Sequence, residues 1–293
     1  MGNSETKEVD LQKLLVQQLE SLKQAGLAEL PIGATSPDFD FDDVADAAGI
    51  RAAAPPAPTA AAATSQRPAP PASKPAAPAT PAPESQPPAI NITDSWGEKV
   101  AGSERPAALE IVNNEVRNCS LCSDLSSNRT QTVFGVGDPS ARLVLVGEGP
   151  GADEDKQGEP FVGAAGGMLN KILTACTIER NDIYILNTVK CRPPMNRNPT
   201  DREIRNCWNY LERQLEIIQP EFILCLGSVA AKSMLQTTQS LGRLRGRFHD
   251  WKGARLLVTY HPAYLLRNEG AKRHVWEDMK LLMKEMGIKL PKR

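Results

Sequence analysis

The stretch LVLVGEGPG, residues 143–151, decides the fold class of this chain. Its first four residues are apolar and a glycine-rich turn follows, as expected of a strand that is buried on both faces. Three further apolar strands alternate with segments of helical spacing; they are DIYILNTVK (182–190), FILCLG (222–227) and ARLLVTYHP (254–262). This alternation predicts an α/β domain with three layers, α/β/α, around a central, mostly parallel four-stranded sheet.

Polar and glycine residues collect where these strands end. The turn 147–151 follows the first strand, Asn187 lies near the end of the second, and His261 with Pro262 follows the last. The carboxyl ends of parallel strands meet at one edge of a sheet, where ligands bind. We therefore expect three separate segments of the chain to converge on one crevice.

The folded domain is expected to span residues 105–293. Its first helix is indicated by Leu109, Val112 and Val116, and Thr200 is the expected N-cap of a helix over residues 201–219. Residues 51–104 should form a disordered linker, because 27 of the 40 residues between 51 and 90 are Ala or Pro. Such a composition buries too little apolar surface to offset the entropy of ordering.

Residues 1–50 form an acidic segment in which leucines at helical spacing, between residues 8 and 30, predict an amphipathic helix. Two readings stay open for it: weak packing on the rest of the chain, or the binding of a protein partner at the end of a tether. Residues 1–100 carry 7 Lys and Arg against 13 Asp and Glu, whereas the remainder carries 27 against 22. A basic domain suits an anionic partner such as DNA, although many enzymes share this balance.

Targeting signals are not expected from the sequence. No run of 18 apolar residues predicts a membrane span, and the N-terminus lacks the basic start and apolar run of a secretory signal. Six cysteines without such a signal favour metal binding or buried thiols over disulfides. We therefore expect a cytoplasmic protein.

Four of the six cysteines form a candidate metal site; they are Cys119, Cys122, Cys191 and Cys207. Two residues between the first pair allow both thiolates to reach one metal. The spacing leaves zinc, an iron–sulfur cluster and a redox-active pair open, although the wide second pair favours a cluster over zinc. Cys176 and Cys225 lie in apolar contexts and are expected to be buried thiols of the core.

Three longer motifs carry a family resemblance; they are GEGPGADEDKQGEPFVGAAG (147–166), NTVKCRPPMNRNPTDREIRNC (187–207) and HPAYLLR (261–267). With the four cysteines, they resemble the iron–sulfur uracil-DNA glycosylases of family 4, from about Val116 to Met286. The resemblance implies a DNA repair enzyme that flips uracil out of single- or double-stranded DNA and hydrolyses its N-glycosidic bond. It also implies a [4Fe–4S] cluster that takes no part in the chemistry, and we expect a monomer.

The resemblance assigns roles to residues of the crevice. Uracil would be bound by Gly147, Phe161, Asn187 and His261, with the Asn187 amide reading the base and the Phe161 ring stacking on it. His261 would also donate a hydrogen bond to uracil O2 as charge develops there. Glu148 would shape the pocket around O2 and the attacking water. Three roles stay open for Glu154, the second carboxylate of this loop: orienting water, stabilising the cationic sugar, or excluding thymine beside C5 of the base.

The HPAYLLR motif corresponds to the loop that glycosylases insert into DNA. Leu265 is our candidate to fill the space left by the flipped base, and Leu266 is the alternative. Arg267 and Arg245 are expected to contact phosphates. His249 and His274 are expected to be ordinary surface or partly buried residues.

The resemblance leaves two alternatives open. One is a relative that accepts other bases or traps the abasic sugar covalently, and Gly149, where family 4 commonly has Ala, leaves base selectivity in doubt. The other is a non-catalytic DNA-binding module coupled to a replication partner through the N-terminal helix. The joint presence of Glu148, Asn187 and His261 argues against the second alternative.

Overall fold

The structure is a computed structural model that describes residues 95–290. The helix predicted between residues 8 and 30 and most of the predicted linker lie outside the described residues. Within residues 95–290, no helix has the length and apolar character needed to cross a membrane.

The described chain forms six strands: β1 Val136–Gly137, β2 Leu143–Gly147, β3 Tyr184–Asn187, β4 Phe222–Leu226, β5 Phe248–Trp251 and β6 Ala254–Thr259. They build one sheet in the order β1-β3-β2-β4-β6-β5. The four central strands are parallel, whereas β1 and β5 pair antiparallel at the two edges. The predicted four parallel strands are confirmed, and the sheet gains two edge strands that the apolar runs did not indicate.

The α-helices are α1 Arg105–Arg117, α2 Ser123–Asn128, α3 Ala152–Gln157, α4 Ala164–Ala175, α5 Asp201–Ile218, α6 Ser228–Leu235, α7 Leu241–Leu244, α8 Pro262–Leu265 and α9 Lys272–Met286. Short 3₁₀ turns lie at Arg180–Asp182, Pro194–Asn196 and Glu269–Ala271. The expected helix cap is confirmed, because the Thr200 side chain accepts a hydrogen bond from the Glu203 amide at 3.3 Å. The Glu203 carboxylate accepts from the Thr200 amide at 2.7 Å, which completes a capping box.

Two apolar cores lie on the two faces of the sheet, as an α/β/α arrangement requires. Leu143 and Leu145 of β2 pack with α4 and α9, whereas the alternate residues Val144 and Val146 pack with α1 and α5. Cys176 and Cys225 are completely buried, one in each core, as expected. The predicted three-layer fold is therefore confirmed.

Residues directly before α1 belong to the packed structure, although the sequence assigned them to the linker. The Trp96 ring meets the Trp251 ring edge-on, with centroids 5.4 Å apart. The Gln219 side chain donates to the Gly97 carbonyl oxygen at 3.1 Å. The predicted boundary at residue 105 is therefore too late by about ten residues, because tryptophan supplies the apolar area that the Ala/Pro segment lacks.

Candidate active site

The carboxyl ends of β2, β3 and β6 enclose a cavity of about 420 Å³. Its lining includes the predicted residues Glu148, Glu154, Phe161, Asn187, His261 and Arg267. Three separate segments of the chain thus meet at the edge of the sheet where the sequence placed a crevice. The loop after β3 also lines the cavity, through residues that the sequence analysis did not assign: Pro193, Asn196, Arg197, Asn198 and Pro199.

Gly147 is the last residue of β2, directly before the cavity-lining Glu148, and pairs in register with Asn187 of β3. A Cβ atom on Gly147 would lie 2.3 Å from Asn187 Oδ1 and 2.8 Å from the Phe161 ring. Both distances are below van der Waals contact, so only glycine lets these two side chains close over the strand. This gives Gly147 a physical role in forming the pocket.

Asn187 is 2% exposed, and its Oδ1 atom makes no hydrogen bond. Leaving a buried acceptor without a partner costs about 1–3 kcal/mol, so such atoms are rare in folded proteins. The backbone beside it is well held, since the Thr188 amide and hydroxyl both donate to the Gly147 carbonyl oxygen at 2.9 Å. The asparagine is thus held firmly, with a free acceptor at the edge of a cavity.

Phe161 is buried and has a left-handed backbone conformation, with φ of 55°. A phenylalanine rarely adopts this conformation, and such strain is concentrated at functional sites. Its ring lies beside the His261 ring, with centroids 5.6 Å apart. Gly166 makes the strained turn possible, because a Cβ atom there would lie 1.9 Å from the Phe161 carbonyl oxygen.

His261 is the N-cap of the short helix α8, and its Nδ1 atom accepts a hydrogen bond from the Ala263 amide at 3.2 Å. An accepting Nδ1 leaves the proton of the neutral ring on Nε2. Burial lowers the pKa of His261 from 6.5 to about 4; the Glu154 charge opposes this shift and the Arg267 charge adds to it. At neutral pH the ring is therefore an uncharged hydrogen-bond donor.

Glu154 is buried, and both of its carboxylate oxygens accept hydrogen bonds from backbone amides. Oε2 accepts from Gly151 at 3.0 Å, and Oε1 accepts from Val162 and Gly163, each at 3.0 Å. These bonds join the turn after β2 to the turn that carries Phe161. Three of the acceptor positions of the Glu154 carboxylate are thus occupied by backbone amides, and the side chain also lines the cavity.

Glu148 differs from Glu154 in its surroundings. Its side chain is partly buried on the cavity wall, and burial raises the pKa of its carboxyl group. Its backbone carbonyl oxygen accepts from the Val189 amide at 3.2 Å, which extends the pairing of β2 and β3 beyond their last residues. Of the two predicted carboxylates, Glu148 is the better placed to contact a bound molecule.

The four predicted metal ligands lie together around a second, smaller cavity; they are Cys119, Cys122, Cys191 and Cys207. The Arg129 guanidinium donates to Cys191 Sγ at 3.0 Å. The Lys190 amide donates to Cys207 Sγ at 3.3 Å. Among residues 95–290, no group of three or more Cys, His, Asp or Glu is arranged to hold a single metal ion. Four thiols around one small cavity, two of which receive these N–H donors, nevertheless suit an iron–sulfur cluster, which binds each thiolate at a different iron.

Lys190 lines the cysteine cavity and contacts Asn187, which lines the first cavity. The sequence did not single out this residue. Its side chain is buried, and its ammonium donates to the Asn187 carbonyl oxygen at 2.8 Å. Burial lowers its pKa to about 8, while negative charge at Cys207 and Cys191 acts in the opposite direction. The sequence contained one indication of this role, because Lys190 ends the apolar strand DIYILNTVK. A lysine in such a position is expected to be buried and therefore to need specific partners.

Two of the predicted DNA contacts are corrected. Leu265 is completely buried in the core on the α4 side, whereas the neighbouring Leu266 is 47% exposed. Arg245 forms an ion pair with the buried Asp278 at 2.9 Å, so it stabilises the fold instead of facing a phosphate. Arg267 is exposed at the cavity, where a phosphate contact was expected.

The two comparison histidines lie outside the cavity lining, and both are partly buried. His249 Nε2 hydrogen-bonds the Leu244 carbonyl oxygen at 2.8 Å. The His274 ring lies 6.2 Å from the Tyr260 ring. Both are ordinary structural residues, as expected.

Comparison with known proteins extends these observations. The profile of the Uracil DNA glycosylase superfamily matches residues 134–280. A type-4 uracil-DNA glycosylase of Thermotoga maritima is 45% identical over 179 residues, which cover 60% of this chain and 93% of that protein. The type-4 enzyme of Archaeoglobus fulgidus is 40% identical over 192 residues, 63% of this chain and 96% of that protein.

A type-5 uracil-DNA glycosylase of Pyrobaculum aerophilum is also similar, at 30% identity over 191 residues, 54% of this chain and 83% of that protein. The lower identity separates this chain from the type-5 enzyme. The superfamily profile covers β1 to β6, α8 and most of α9, and therefore all three segments of the cavity. The chain belongs to the uracil DNA glycosylase superfamily and, within it, to the type-4 uracil-DNA glycosylases.

Proposed function

We propose that this protein is a DNA repair glycosylase that flips uracil out of DNA and hydrolyses its N-glycosidic bond, leaving an abasic site. The observation that carries the proposal is the unpaired Oδ1 atom of Asn187, buried beside Gly147 and Phe161 at the edge of the 420 Å³ cavity. An enzyme must take a base out of the stack before it can reach the bond to the sugar. A concave, partly apolar pocket with one free acceptor suits such a base.

Base recognition follows from the chemistry of the Asn187 amide. Its oxygen can accept from uracil N3–H while its NH₂ group donates to O4. Cytosine presents an acceptor at N3 and a donor at N4, so the same amide meets two mismatched contacts. The Phe161 ring would lie against the face of the base, where aromatic stacking is independent of base identity.

Departure of uracil is assisted by His261. When the C1′–N1 bond breaks, its electron pair moves to the base and negative charge accumulates on O2. The neutral imidazole would direct its Nε2–H at this oxygen, and a donor positioned in advance stabilises developing charge. The lowered pKa of His261 keeps the ring a neutral donor throughout the physiological range.

Water completes the reaction. We assign its positioning to Glu148, whose partly buried carboxylate lies on the same cavity wall. The water oxygen bonds to C1′ as the positive charge on the sugar is discharged, and the carboxylate accepts the water proton. Glu154 acts indirectly, because its three hydrogen bonds hold the turn that carries Glu148 to the turn that carries Phe161.

The four cysteines would bind a [4Fe–4S] cluster, which when bound fixes the loop after β3. Its ligand Cys191 lies four residues after Asn187, and the same loop forms part of the cavity wall through Asn196 and Arg197. Arg129 and the Lys190 amide would donate hydrogen bonds to the ligating sulfurs. Such donors stabilise negative charge on the thiolates.

The rest of the organisation stays a proposal. The glycosylase domain would extend from about residue 95 to the C-terminus, after an acidic segment and an Ala/Pro-rich linker. It would act as a cytoplasmic monomer on single- or double-stranded DNA, contacting phosphates through Arg267 and filling the vacated stack with Leu266. A protein partner of the N-terminal helix stays a prediction from the sequence.

Uracil release by the purified holoprotein tests this function, on single- and double-stranded DNA without added divalent metal. Asn187→Ala should slow release by about 100-fold, since a pair of hydrogen bonds to the base contributes about 1–3 kcal/mol. Its affinity for uracil-free DNA should change little. Asn170→Ala, at an exposed position of α4, is the matched control.

Each alternative predicts a different result. Release of hypoxanthine or mispaired thymine at a rate similar to uracil would indicate a wider base range. A protein–DNA adduct that survives denaturant would indicate covalent trapping. Absence of release from either DNA, with intact cluster absorbance, would refute the proposed function.

A further inference from the structure

The loop after β3 exposes an apolar side chain at the edge of the cavity. Met195 is 95% exposed, more than any other large apolar side chain among the described residues. Its backbone has φ of 54° and ψ of 23°, and the next residue, Asn196, also has φ of 54°. Two consecutive non-glycine residues in the left-handed conformation are unfavourable, so holding Met195 in this position lowers the stability of the folded state.

Hydrogen bonds hold the loop in this conformation. The Asn196 amide donates to the Pro193 carbonyl oxygen at 3.0 Å, and the Arg192 Nε atom donates to Asn196 Oδ1 at 2.7 Å. Arg197 donates to both carboxylate oxygens of Glu203, at 2.8 Å and 2.7 Å. The exposure of Met195 therefore belongs to an ordered loop anchored on the start of α5.

The neighbours of Met195 locate it at the mouth of the uracil pocket. Pro193 and Asn196, on either side of it in the sequence, both line the cavity. The cavity is also lined by α8 and by Arg267, two residues after the end of that helix. Leu266, which lies between them, is exposed. Exposed apolar side chains thus lie beside the cavity on two separate segments, Met195 on the loop after β3, and Tyr264 and Leu266 on the α8 segment.

We propose that Met195 is a second apolar DNA contact, which enters the duplex beside the flipped uracil from the loop after β3 while Leu266 enters from α8. The inference rests on the proposed function, because a base in the pocket brings the DNA against this rim. A methionine side chain is flexible, and its sulfur packs well on aromatic rings such as bases. Apolar wedges of this kind keep neighbouring base pairs apart.

A role as a wedge and a role in forming the pocket predict different effects on duplex and single-stranded DNA. In a duplex, the space left by the flipped base must be filled and the partner strand kept away. A single strand has no paired partner to separate. Met195 should therefore matter for uracil in duplex DNA and much less for uracil in single-stranded DNA.

Two substitutions test the proposal, Met195→Gly and Met195→Ala, with Ile111→Ala on the exposed face of α1 as the control. Glycine adopts positive φ without strain, so Met195→Gly should raise the melting temperature while it removes the side chain. We expect kcat/KM for duplex uracil-DNA to fall about tenfold in both variants and to fall less than about twofold for single strands. Fluorescence of 2-aminopurine next to the uracil should rise less than with wild type.

Three results are distinguishable. Equal duplex activity of wild type and both variants would overturn the proposal, and would leave the exposed methionine to a protein partner. Equal losses on single and double strands would also overturn it, since they indicate a role in forming the pocket. A wild-type protein that releases no uracil from either DNA would refute the proposed function itself.

Discussion

Acidification should weaken the folded state through His261. Burial lowers the pKa of this ring from 6.5 to about 4. Between these two pH values the unfolded chain protonates the ring while the folded chain does not. The unfolded state then binds more protons, so the free energy of unfolding falls as the pH falls through this window. The whole displacement corresponds to about 3 kcal/mol.

Urea denaturation of wild type and His261→Asn measures this contribution at pH 7.5, 6.5, 5.5 and 4.5. Asparagine can accept from the Ala263 amide in place of Nδ1, so the cap of α8 is kept while the titrating group is removed. The stability of wild type relative to the variant should decrease by up to about 3 kcal/mol from the highest pH to the lowest. A difference that does not change with pH would refute the reasoning, and one that grows in acid would reverse its sign.

The excision rate tests the same reasoning independently. Because the folded ring is neutral at both pH 7.5 and pH 5.5, the donor at Nε2 is present at both. A rate that falls in acid with a midpoint near 6.5, the ordinary pKa of histidine, would show that the folded ring is not desolvated.

Two further substitutions test the positioning residues. Glu154→Gln replaces a carboxylate oxygen by an NH₂ group and leaves at least one backbone amide without an acceptor. We therefore expect the free energy of unfolding, measured by urea denaturation, to fall by about 1–3 kcal/mol. The control Glu159→Gln, at an exposed position, should show no loss. Equal stability of the two variants would contradict the inference that Glu154 holds the two turns together. Cys191→Ser should lower iron content and uracil release together, whereas Cys176→Ala, in the core, should keep its iron. Full iron content in Cys191→Ser would contradict the ligand assignment.

The apolar runs predicted the four parallel strands and the edge of the sheet where the cavity lies. They could not indicate β1, which is two residues long, or β5, whose residues Phe248–Trp251 include an exposed aspartate and only one buried side chain. β1 exists because it pairs with the distant β3, and such pairing is not visible in a local pattern, whereas β5 is held by a tight hairpin with β6, which follows it directly.

At the site, the sequence could not predict the direction in which individual side chains point. HPAYLLR contains two adjacent leucines, and only the packing of α8 in the core decides that Leu265 points inward and Leu266 outward. Arg245 was expected to face a phosphate, but its guanidinium donates to Asp278, which lies 33 residues later in the chain. Asn187 and His261 were found because strand ends and family motifs coincided there.

Lys190 ties the cysteine cavity to the strand that carries Asn187. It is buried between the two, and its ammonium donates to the Asn187 carbonyl oxygen at 2.8 Å. Negative charge at Cys207 and Cys191 favours the charged form of this lysine. A substitution in the cysteine cavity would therefore reach Asn187 through a single buried contact, so a defect at one cavity is expected to be felt at the other although the two share no lining residue.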